Sequence, residues 1–342
     1  MIVILKHEAR QEQIDRLKQF LLGMGLRIDE SKGENSTILG LVGDTTRVDA
    51  DLISSLDAVE AVRRVQEPYK KANRKFHPQD TMVDCGGVTI GHGLFQIIAG
   101  PCSVESEEQM VTVAKAVKAA GATLLRGGAF KPRTNPHSFQ GLGEEALKIM
   151  KAAGDKYNLK TLTEVMDSAH CQLVSDYVDG LQVGARNFQN FSLLKKIGQV
   201  TADTHQMVLY KRGFAGTIAE WLAATDYITD CGNDNVVLCE RGIRTFETAT
   251  RFTLDISAVP VVHKQSLYPI CIDVSHPAGQ RDLVPSLAYA AVAAGCDSIM
   301  IEVHPNPPKA LSDGPQQLTP AQFADLVAEL RKIAAVFGKR IV

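Results

Sequence analysis

The 342-residue chain carries 37 Lys and Arg against 39 Asp and Glu, a formal net charge of -2. This balance gives no reason to expect a nucleic acid or an anionic membrane as partner. No apolar run approaches about 18 residues, and the first residues do not resemble a signal peptide. The seven cysteines show no paired spacing, which is typical of reduced thiols, so we expect a cytoplasmic protein of about two domains.

Residues 1–66 show hydrophobic patterns in the order strand, helix, strand, strand, helix, strand. This order predicts a small βαββαβ ferredoxin-like (ACT-like) domain. The segment has no cluster of Asp, Glu, His or Cys, so we expect a regulatory domain that senses a small molecule, or else a module that supports an oligomer. The predicted elements are Ile2–Leu5, a helix closed by Gly23 and Gly25, Leu26–Asp29, Thr37–Val42, Asp49–Leu56 and Val59–Val65.

Residues 67–93 are rich in basic and turn-forming residues and are predicted to be a linker. Within them, two short apolar runs between Thr81 and Ile90 flank Gly86-Gly87, a signal for a β-hairpin. Such a hairpin could close the amino-terminal end of a barrel.

Residues 94–342 alternate regularly between strand and helix patterns, ending in an amphipathic helix at Pro320–Val336. Eight such units predict a (β/α)8 TIM barrel, because doubly wound sheets rarely reach this number. The eight predicted strands are Phe95–Ala99, Thr123–Gly127, Lys160–Val165, Gly180–Gly184, Met207–Lys211, Val236–Glu240, Ile270–Val274 and Ser298–Val303.

Charged side chains gather where the predicted strands end. In a (β/α)8 barrel these carboxyl ends form the face that carries the active site. The cations outnumber the acids available to neutralise them, so we expect an anionic substrate with more than one phosphate or carboxylate group. The alternative is a set of rim salt bridges, such as Glu240 with Arg244. The cations are Arg126, Lys131, Arg186, Lys211, Arg212, Arg241 and Arg244.

Cys102, His276, Glu302 and Asp313 form a second constellation. A thiolate, an imidazole and two carboxylates can bind a divalent transition metal. A cysteine that follows a proline is more often a packing residue, and the four residues show no close ligand spacing. The metal hypothesis gains weight because His276 and Glu302 end adjacent predicted strands and Asp313 follows in the next loop.

Six motifs span the predicted barrel: Ala99-Gly-Pro-Cys-Ser-Val-Glu, Leu125-Arg-Gly-Gly-Ala-Phe-Lys-Pro-Arg-Thr, Gly184-Ala-Arg-Asn, Lys211-Arg-Gly, Cys239-Glu-Arg-Gly and Asp273-Val-Ser-His. Together they resemble the family of 3-deoxy-D-arabino-heptulosonate 7-phosphate (DAHP) synthase. Residues 1–66 resemble the ferredoxin-like extension of its type I-beta subgroup. The sequence departs from the family pattern where Pro277 follows His276 and Gln280 replaces an arginine, which indicates a local change of loop geometry.

The resemblance implies a condensation of phosphoenolpyruvate with erythrose 4-phosphate and water, the first step of the shikimate pathway. It also implies catalytic roles for Lys131, Cys102 and His276. A divalent ion, Mn²⁺, Fe²⁺, Co²⁺ or Zn²⁺, would be held by Cys102, His276, Glu302 and Asp313. Substrate contacts would come from Arg126, Lys131, Arg186, Lys211 and Arg241 for phosphoenolpyruvate, from Arg133 and Thr134 for the sugar phosphate, and from Asp273.

The subgroup further implies feedback inhibition by tyrosine or phenylalanine, through docking of residues 1–66 over the barrel mouth, and a homo-oligomer, either a dimer or a tetramer. Two other enzymes remain as alternatives. One is the synthase of the eight-carbon analogue, which normally lacks the Lys-Pro-Arg-Thr run found here at 131–134. The other is a Schiff-base aldolase that uses Lys211 as amine nucleophile. A non-catalytic binding protein would not need the Cys, His, Glu and Asp set.

Overall fold

The computed structural model describes residues 1–33, 37–45, 48–63, 69–91, 93–132 and 135–341. It contains two compact units. The first comprises residues 1–79 with 265–267, and the second comprises residues 80–264 with 268–342.

The first unit has a four-stranded antiparallel sheet in which the strands lie in the order Arg27–Lys32, Thr37–Val42, Ile2–Leu5 and Val59–Arg63. The predicted βαββαβ ferredoxin-like domain is therefore confirmed. Its core is aliphatic, with Leu21 and Leu39 fully buried. The predicted helix at Asp49–Leu56 is shorter, Ala50–Ser54, and it begins after Asp49 because the Asp49 side chain caps it by accepting from the N–H groups of Asp51 and Leu52. The elements are β1 Ile2–Leu5, α1 Gln11–Gly23, β2 Arg27–Lys32, β3 Thr37–Val42, α2 Ala50–Ser54 and β4 Val59–Arg63. The last two residues of the predicted strand Val59–Val65 lie outside the described residues.

The second unit begins with an antiparallel hairpin, β5 (Val83–Cys85) and β6 (Val88–Ile90). Gly86 and Gly87 join the strands with φ of 57° and 94°, the left-handed values that a tight hairpin turn requires. Met207, at the start of a barrel strand, lies in the same buried cluster as the hairpin. The hairpin therefore closes the amino-terminal end of the barrel. Its side chains in that cluster are Val83, Cys85 and Ile90.

Eight parallel strands form the barrel, which is closed because the last strand, Ser298–Glu302, pairs with the first, Leu94–Gly100. Each strand is almost wholly buried on both faces, which explains its continuous apolar sequence. The strands lie within a residue or so of their predicted bounds. They are β7 Leu94–Gly100, β8 Leu124–Arg126, β9 Lys160–Val165, β10 Gly180–Val183, β11 Met207–Lys211, β12 Val236–Glu240, β13 Ile270–Asp273 and β14 Ser298–Glu302. A short strand, β15 (Arg340–Ile341), pairs with the start of β7.

Side-chain caps set the ends of the barrel helices. Ser106 caps the helix Glu107–Ala120 by accepting from the N–H of Gln109, and Gly121 closes this helix with a φ of 107°. Thr319 and Gln322 form a capping box at the start of the last helix. The helices are α3 Glu107–Ala120, α4 Glu144–Tyr157, α5 Cys171–Tyr177, α6 Phe191–Thr201, α7 Ile218–Thr229, α8 Ala258–Gln265, α9 Ser275–Ala278, α10 Val284–Ala293 and α11 Pro320–Val336. Across the part of the chain that the structure describes, none of the helices is long and apolar enough to span a membrane.

Candidate active site

A pocket opens at the carboxyl ends of the barrel strands. Two carboxylates, Glu164 and Asp313, and the imidazole of His276 share its wall with the cations. This pocket is strongly cationic, as the sequence predicted. Among the described residues, the cations that line it are Arg126, Lys131, Arg186, Lys211, Arg241 and Arg251.

Cys102, His276, Glu302 and Asp313 come together at one side of the pocket. One ligand atom from each residue lies within 4.8 Å of all the others. Four separate parts of the fold position them. Cys102 follows β7, His276 lies in the short helix α9 after β13, and Glu302 ends β14. Asp313 precedes a 3₁₀ turn at Gly314–Gln316 and has a left-handed φ of 48°. The cluster could hold a metal ion.

The chemistry of these four groups fits a divalent transition metal. Burial lowers the pKa of His276, which favours the neutral imidazole that binds metals. Burial alone would raise the pKa of Glu302, but His276 and Arg126 lower it overall, so the carboxylate stays ionised. Burial and the charge of Glu302 raise the pKa of Cys102 to about 11, so a metal that bound this sulfur would displace its proton.

Arg126 and Lys131 connect the anion pocket to this cluster. Arg126 Nη1 donates to Glu302 Oε1 at 2.9 Å and to the carbonyl of Pro101 at 2.6 Å. Lys131 Nζ lies 3.2 Å from Cys102 Sγ and 3.1 Å from the Cys102 carbonyl oxygen. Gly100 allows the backbone of β7 to approach that of β8, because a Cβ at this position would lie 1.9 Å from the Arg126 carbonyl oxygen.

Asp273 lies beneath the pocket rather than on its surface. It is fully buried, and its Oδ2 accepts from Lys211 Nζ at 2.6 Å and from His276 Nδ1 at 2.7 Å. Burial alone would raise the pKa of Asp273, but these two partners hold it well below its usual range. The substrate-binding role suggested for Asp273 from sequence stays a prediction, and the contacts of this carboxylate are with Lys211 and His276.

Buried hydrogen bonds join the loop that carries Cys102 to the loop that carries Asp313. Ser103 Oγ and Ser312 Oγ lie 2.7 Å apart. Gln317 accepts from the Cys102 N–H at 3.1 Å and donates to the Ser312 carbonyl oxygen at 2.8 Å. These loops follow the first and last strands of the barrel, so residues about 200 positions apart meet at one site.

Two of the predicted strand-end cations do not line this pocket. Arg212 is buried and pairs with Glu240 at 3.0 Å and with Asp255 at 2.7 Å. The suggested pair of Glu240 with Arg244 is therefore wrong, because Arg212 reaches this carboxylate from the neighbouring strand. Arg244 is exposed and lines an adjacent cavity with Arg186.

Arg251 and Gln316 were missed by the sequence analysis. Arg251 Nη1 donates to Asp313 Oδ2 at 3.1 Å and to Gln316 Oε1 at 2.9 Å. Gln316 Nε2 donates to Glu302 Oε2 at 2.7 Å. Both residues lie inside loops, away from any strand end, so the strand and helix patterns of the sequence gave no signal for them. Arg133 and Thr134, predicted to hold the sugar phosphate, lie outside the described residues.

Fold and site together define a (β/α)8-barrel protein with a cationic pocket at the carboxyl ends of its strands. Beside this pocket lie four side chains that could hold a metal ion. The chain matches the DAHP synthetase I family over residues 68–336 and the DAHP synthase ferredoxin-like domain over residues 1–67. The chain therefore belongs to the DAHP synthetase I family, as its motifs predicted.

Individual relatives agree with this assignment. The chain is 49% identical to the phospho-2-dehydro-3-deoxyheptonate aldolase of Thermotoga maritima over 100% of both chains. It is 33% identical to a 2-dehydro-3-deoxyphosphooctonate aldolase of Caulobacter vibrioides, over 73% of this chain and 91% of the relative. A crystal structure of the Thermotoga maritima DAHP synthase superposes with a TM-score of 0.78 at 48% identity, covering 100% of this chain and 98% of the other. A truncated form of that synthase superposes with a TM-score of 0.74 at 46% identity, covering 80% of this chain and 100% of the other.

Proposed function

We propose that the protein condenses phosphoenolpyruvate with erythrose 4-phosphate and water, giving DAHP and inorganic phosphate. The observation that carries this proposal is the set of described cations that lines one pocket beside a cluster that could bind a metal ion. The two substrates bring two phosphates and one carboxylate, which matches the excess of positive charge. The eight-carbon alternative is less well supported, because its relatives match only 73–78% of the chain, whereas the heptonate relative matches all of it.

The proposed binding site for phosphoenolpyruvate is inferred from the positions of the cations that line the pocket. Pocket-lining guanidinium and ammonium groups would hold the phosphate and carboxylate of phosphoenolpyruvate, since their donors face the same cavity. The residues proposed to do this are Arg126, Lys131, Arg186, Lys211 and Arg241. For the phosphate of the sugar we propose Arg133 and Thr134 on the strength of the sequence motif alone.

Cys102, His276, Glu302 and Asp313 would hold a divalent ion, Mn²⁺, Fe²⁺, Co²⁺ or Zn²⁺, whose ligand preferences suit this mixture of donors. Such an ion, when bound, supplies a Lewis acid for the aldehyde oxygen of erythrose 4-phosphate. Asp273 accepts from Nδ1 of His276 and thereby leaves Nε2 facing the other ligands.

Lys131 is proposed as the proton donor to the aldehyde oxygen as the new carbon–carbon bond forms. Its Nζ lies beside Cys102 Sγ, so it can serve both the metal cluster and the anion pocket. Burial alone would lower its pKa, but the sulfur of Cys102 and the charge of Glu302 raise it, which keeps the proton on nitrogen until an oxyanion develops.

Lys211 is less suited to a Schiff-base mechanism. Its Nζ forms a buried ion pair with Asp273 at 2.6 Å, the arrangement of an anion-binding lysine rather than of a desolvated amine nucleophile.

We propose that residues 1–66 form a regulatory domain for tyrosine or phenylalanine, that 67–93 form the linker and hairpin, and that 94–342 form the catalytic barrel. The match of residues 1–67 to a dedicated ferredoxin-like domain supports a role for an effector. A cytoplasmic homo-oligomer, dimer or tetramer, belongs to the same proposal.

The test is to follow the loss of the enol absorbance of phosphoenolpyruvate with and without erythrose 4-phosphate, and to weigh the product by mass spectrometry. We expect consumption only when both substrates are present, with one phosphate released per turnover. Faster consumption with a five-carbon sugar phosphate would support the eight-carbon product instead. A borohydride-trapped adduct on Lys211 would support the aldolase.

A further inference from the structure

Two stacked aromatic rings lie among the arginines of the pocket. Phe214, in the loop after β11, and Phe252, in the loop after β12, have ring centroids 5.1 Å apart and planes within 6°. We refer to Phe214 and Phe252 as the aromatic pair. Backbone bonds anchor both residues: the carbonyl of Phe214 accepts from the Arg244 N–H at 2.8 Å, and the Phe252 N–H donates to the Pro277 carbonyl at 3.1 Å.

The aromatic pair contacts the side chain of Arg241 most closely. The guanidinium carbon of Arg241 lies 4.2 Å from the Phe252 centroid and 4.9 Å from the Phe214 centroid. Two further arginines lie near Phe214, Arg244 at 5.5 Å and Arg186 at 5.9 Å. All these distances are within the range of a cation–π interaction.

Arg186 and Arg241 differ from three of the other pocket cations in their partners. Arg126, Lys211 and Arg251 each form an ion pair with a carboxylate, and Arg251 does so although its guanidinium carbon also lies 5.9 Å from the Phe252 centroid. Among the described residues, Arg186 and Arg241 have no such carboxylate, and Nη1 of Arg241 is buried with no hydrogen-bond partner. Burial lowers the pKa of Arg241 only to about 10, so its guanidinium remains charged at neutral pH.

The choice of partner has a chemical consequence. A carboxylate would neutralise the guanidinium and occupy its N–H groups, and would then compete with an incoming phosphate. An aromatic face stabilises the cation through the quadrupole of the ring but takes none of its in-plane donors. We propose that the aromatic pair positions Arg241 and Arg186 for phosphate binding and offsets the cost of burying Arg241 while leaving its charge available. This proposal rests on the function proposed above and assigns Phe214 and Phe252 as positioning residues of the same site.

The experiment compares Phe214→Leu and Phe252→Leu with Phe214→Tyr, using the metal-loaded full-length enzyme. Leucine keeps an apolar side chain but removes the ring, whereas tyrosine keeps the ring. The control is Phe246→Leu, because Phe246 lies on the same loop as Phe252 and is 97% exposed. The probe is inorganic phosphate, whose dissociation constant is measured by calorimetry without turnover.

We expect each leucine variant to bind phosphate roughly 5- to 30-fold more weakly, the range for loss of a partly desolvated cation–π contact. The KM for phosphoenolpyruvate should rise by a similar factor while kcat changes little. Phe214→Tyr and Phe246→Leu should bind phosphate like the parent.

A leucine variant that melts at a lower temperature but binds phosphate normally would overturn the proposal, because the rings would then only support the loops. So would a tyrosine variant as impaired as Phe214→Leu. If Phe214→Leu does not fold, the phosphate dissociation constant of Phe252→Leu tests the proposal in the same way. Phosphate binding can be measured without turnover. If the leucine variants bind phosphate more weakly but the parent enzyme does not make DAHP, the proposed function is refuted and the role of the aromatic pair is not.

Discussion

Ser103 Oγ and Ser312 Oγ are joined by a buried hydrogen bond of 2.7 Å between the first and last loops of the barrel mouth. Each serine is the immediate neighbour of a residue proposed to bind metal, Cys102 or Asp313. Closure of the barrel brings the two loops side by side. The serine–serine hydrogen bond and the two hydrogen bonds of Gln317 then fix the distance between the loops.

Gln317→Leu should therefore weaken metal binding. The change leaves the Cys102 N–H and the Ser312 carbonyl without their partner, at a cost of about 1–3 kcal/mol for each buried group. We expect a lower melting temperature together with a lower affinity for Mn²⁺, measured by equilibrium dialysis. Gln96→Leu is the control, because its buried amide also donates one bond, to the Thr89 carbonyl, and accepts one. Equal metal affinity in both variants would show that the loop bonds support only the fold.

Cys102→Ala should remove one ligand of the proposed metal site. We expect the variant to lose both bound metal and turnover while it keeps the parent's far-ultraviolet circular dichroism. In the parent, an excess of chelator should abolish activity, and Mn²⁺, Fe²⁺ or Co²⁺ should restore it. Cys171→Ala, which removes a buried thiol outside the cluster, should retain its metal. Full activity in excess chelator would contradict the metal proposal.

Arg186→Ala and Arg133→Ala should affect different substrates. Loss of a hydrogen bond to a charged group costs about 1.5–3 kcal/mol, or roughly 10- to 150-fold in affinity. We expect Arg186→Ala to raise the KM for phosphoenolpyruvate and Arg133→Ala to raise that for erythrose 4-phosphate. If both variants raised the same KM and left the other unchanged, the assignment of two anion pockets would fail.

Site residues at the ends of the barrel strands could be predicted from the sequence, whereas those within loops mostly could not. Cys102, His276 and Glu302 were predicted together because the carboxyl ends of parallel strands meet on one face whatever the loops do. Arg251 and Gln317 were not, because they lie within loops whose path no periodicity encodes. The sequence also could not show that Arg212, rather than Arg244, pairs with Glu240. Both arginines lie near the ends of neighbouring strands, and only the folded barrel determines which side chain points toward the carboxylate.

Tyrosine or phenylalanine should inhibit the full-length enzyme if residues 1–66 bind an effector. A coupling free energy of roughly 1–3 kcal/mol would change the apparent substrate affinity by about 5- to 150-fold. We expect a variant that lacks residues 1–66 to remain active and to ignore both amino acids in steady-state assays. A full-length enzyme insensitive to both would refute the sensor hypothesis, and a truncated enzyme that is still inhibited would place the effector site in the barrel.

Asp297→Asn should destabilise the fold in a pH-dependent way. The Asp297 carboxylate accepts from His263 Nε2 and the Ile270 N–H, both at 2.9 Å, and from Lys339 Nζ at 3.1 Å. Burial alone would raise its pKa, but the bond from His263 and the charge of Lys339 lower it. The carboxylate therefore stabilises the fold above its ordinary pKa of about 3.9, and this stabilisation is lost as the pH falls through the lower pKa of the folded state.

We expect urea unfolding at pH 7 to show a loss of about 1.5–3 kcal/mol for Asp297→Asn, and a smaller difference from the parent as the pH falls below about 4. Asp155→Asn is the control, because Asp155 forms only an exposed pair with Lys151, which is worth a few tenths of a kcal/mol. A difference that stayed constant from pH 7 to pH 3 would show that the charge of Asp297 is not what stabilises the fold.

The shared oxygen of Asp273 joins the anion pocket to the proposed metal cluster, so we expect the binding of one ligand to change the affinity for the other. The same Oδ2 accepts from Lys211 on the anion side and from His276 on the metal side. A ligand that draws Lys211 or His276 away from this oxygen changes how tightly Asp273 holds the other. By reciprocity, whatever factor the metal contributes to anion affinity, the anion must return to metal affinity. We therefore expect the affinity measured for either ligand to depend on the concentration of the other.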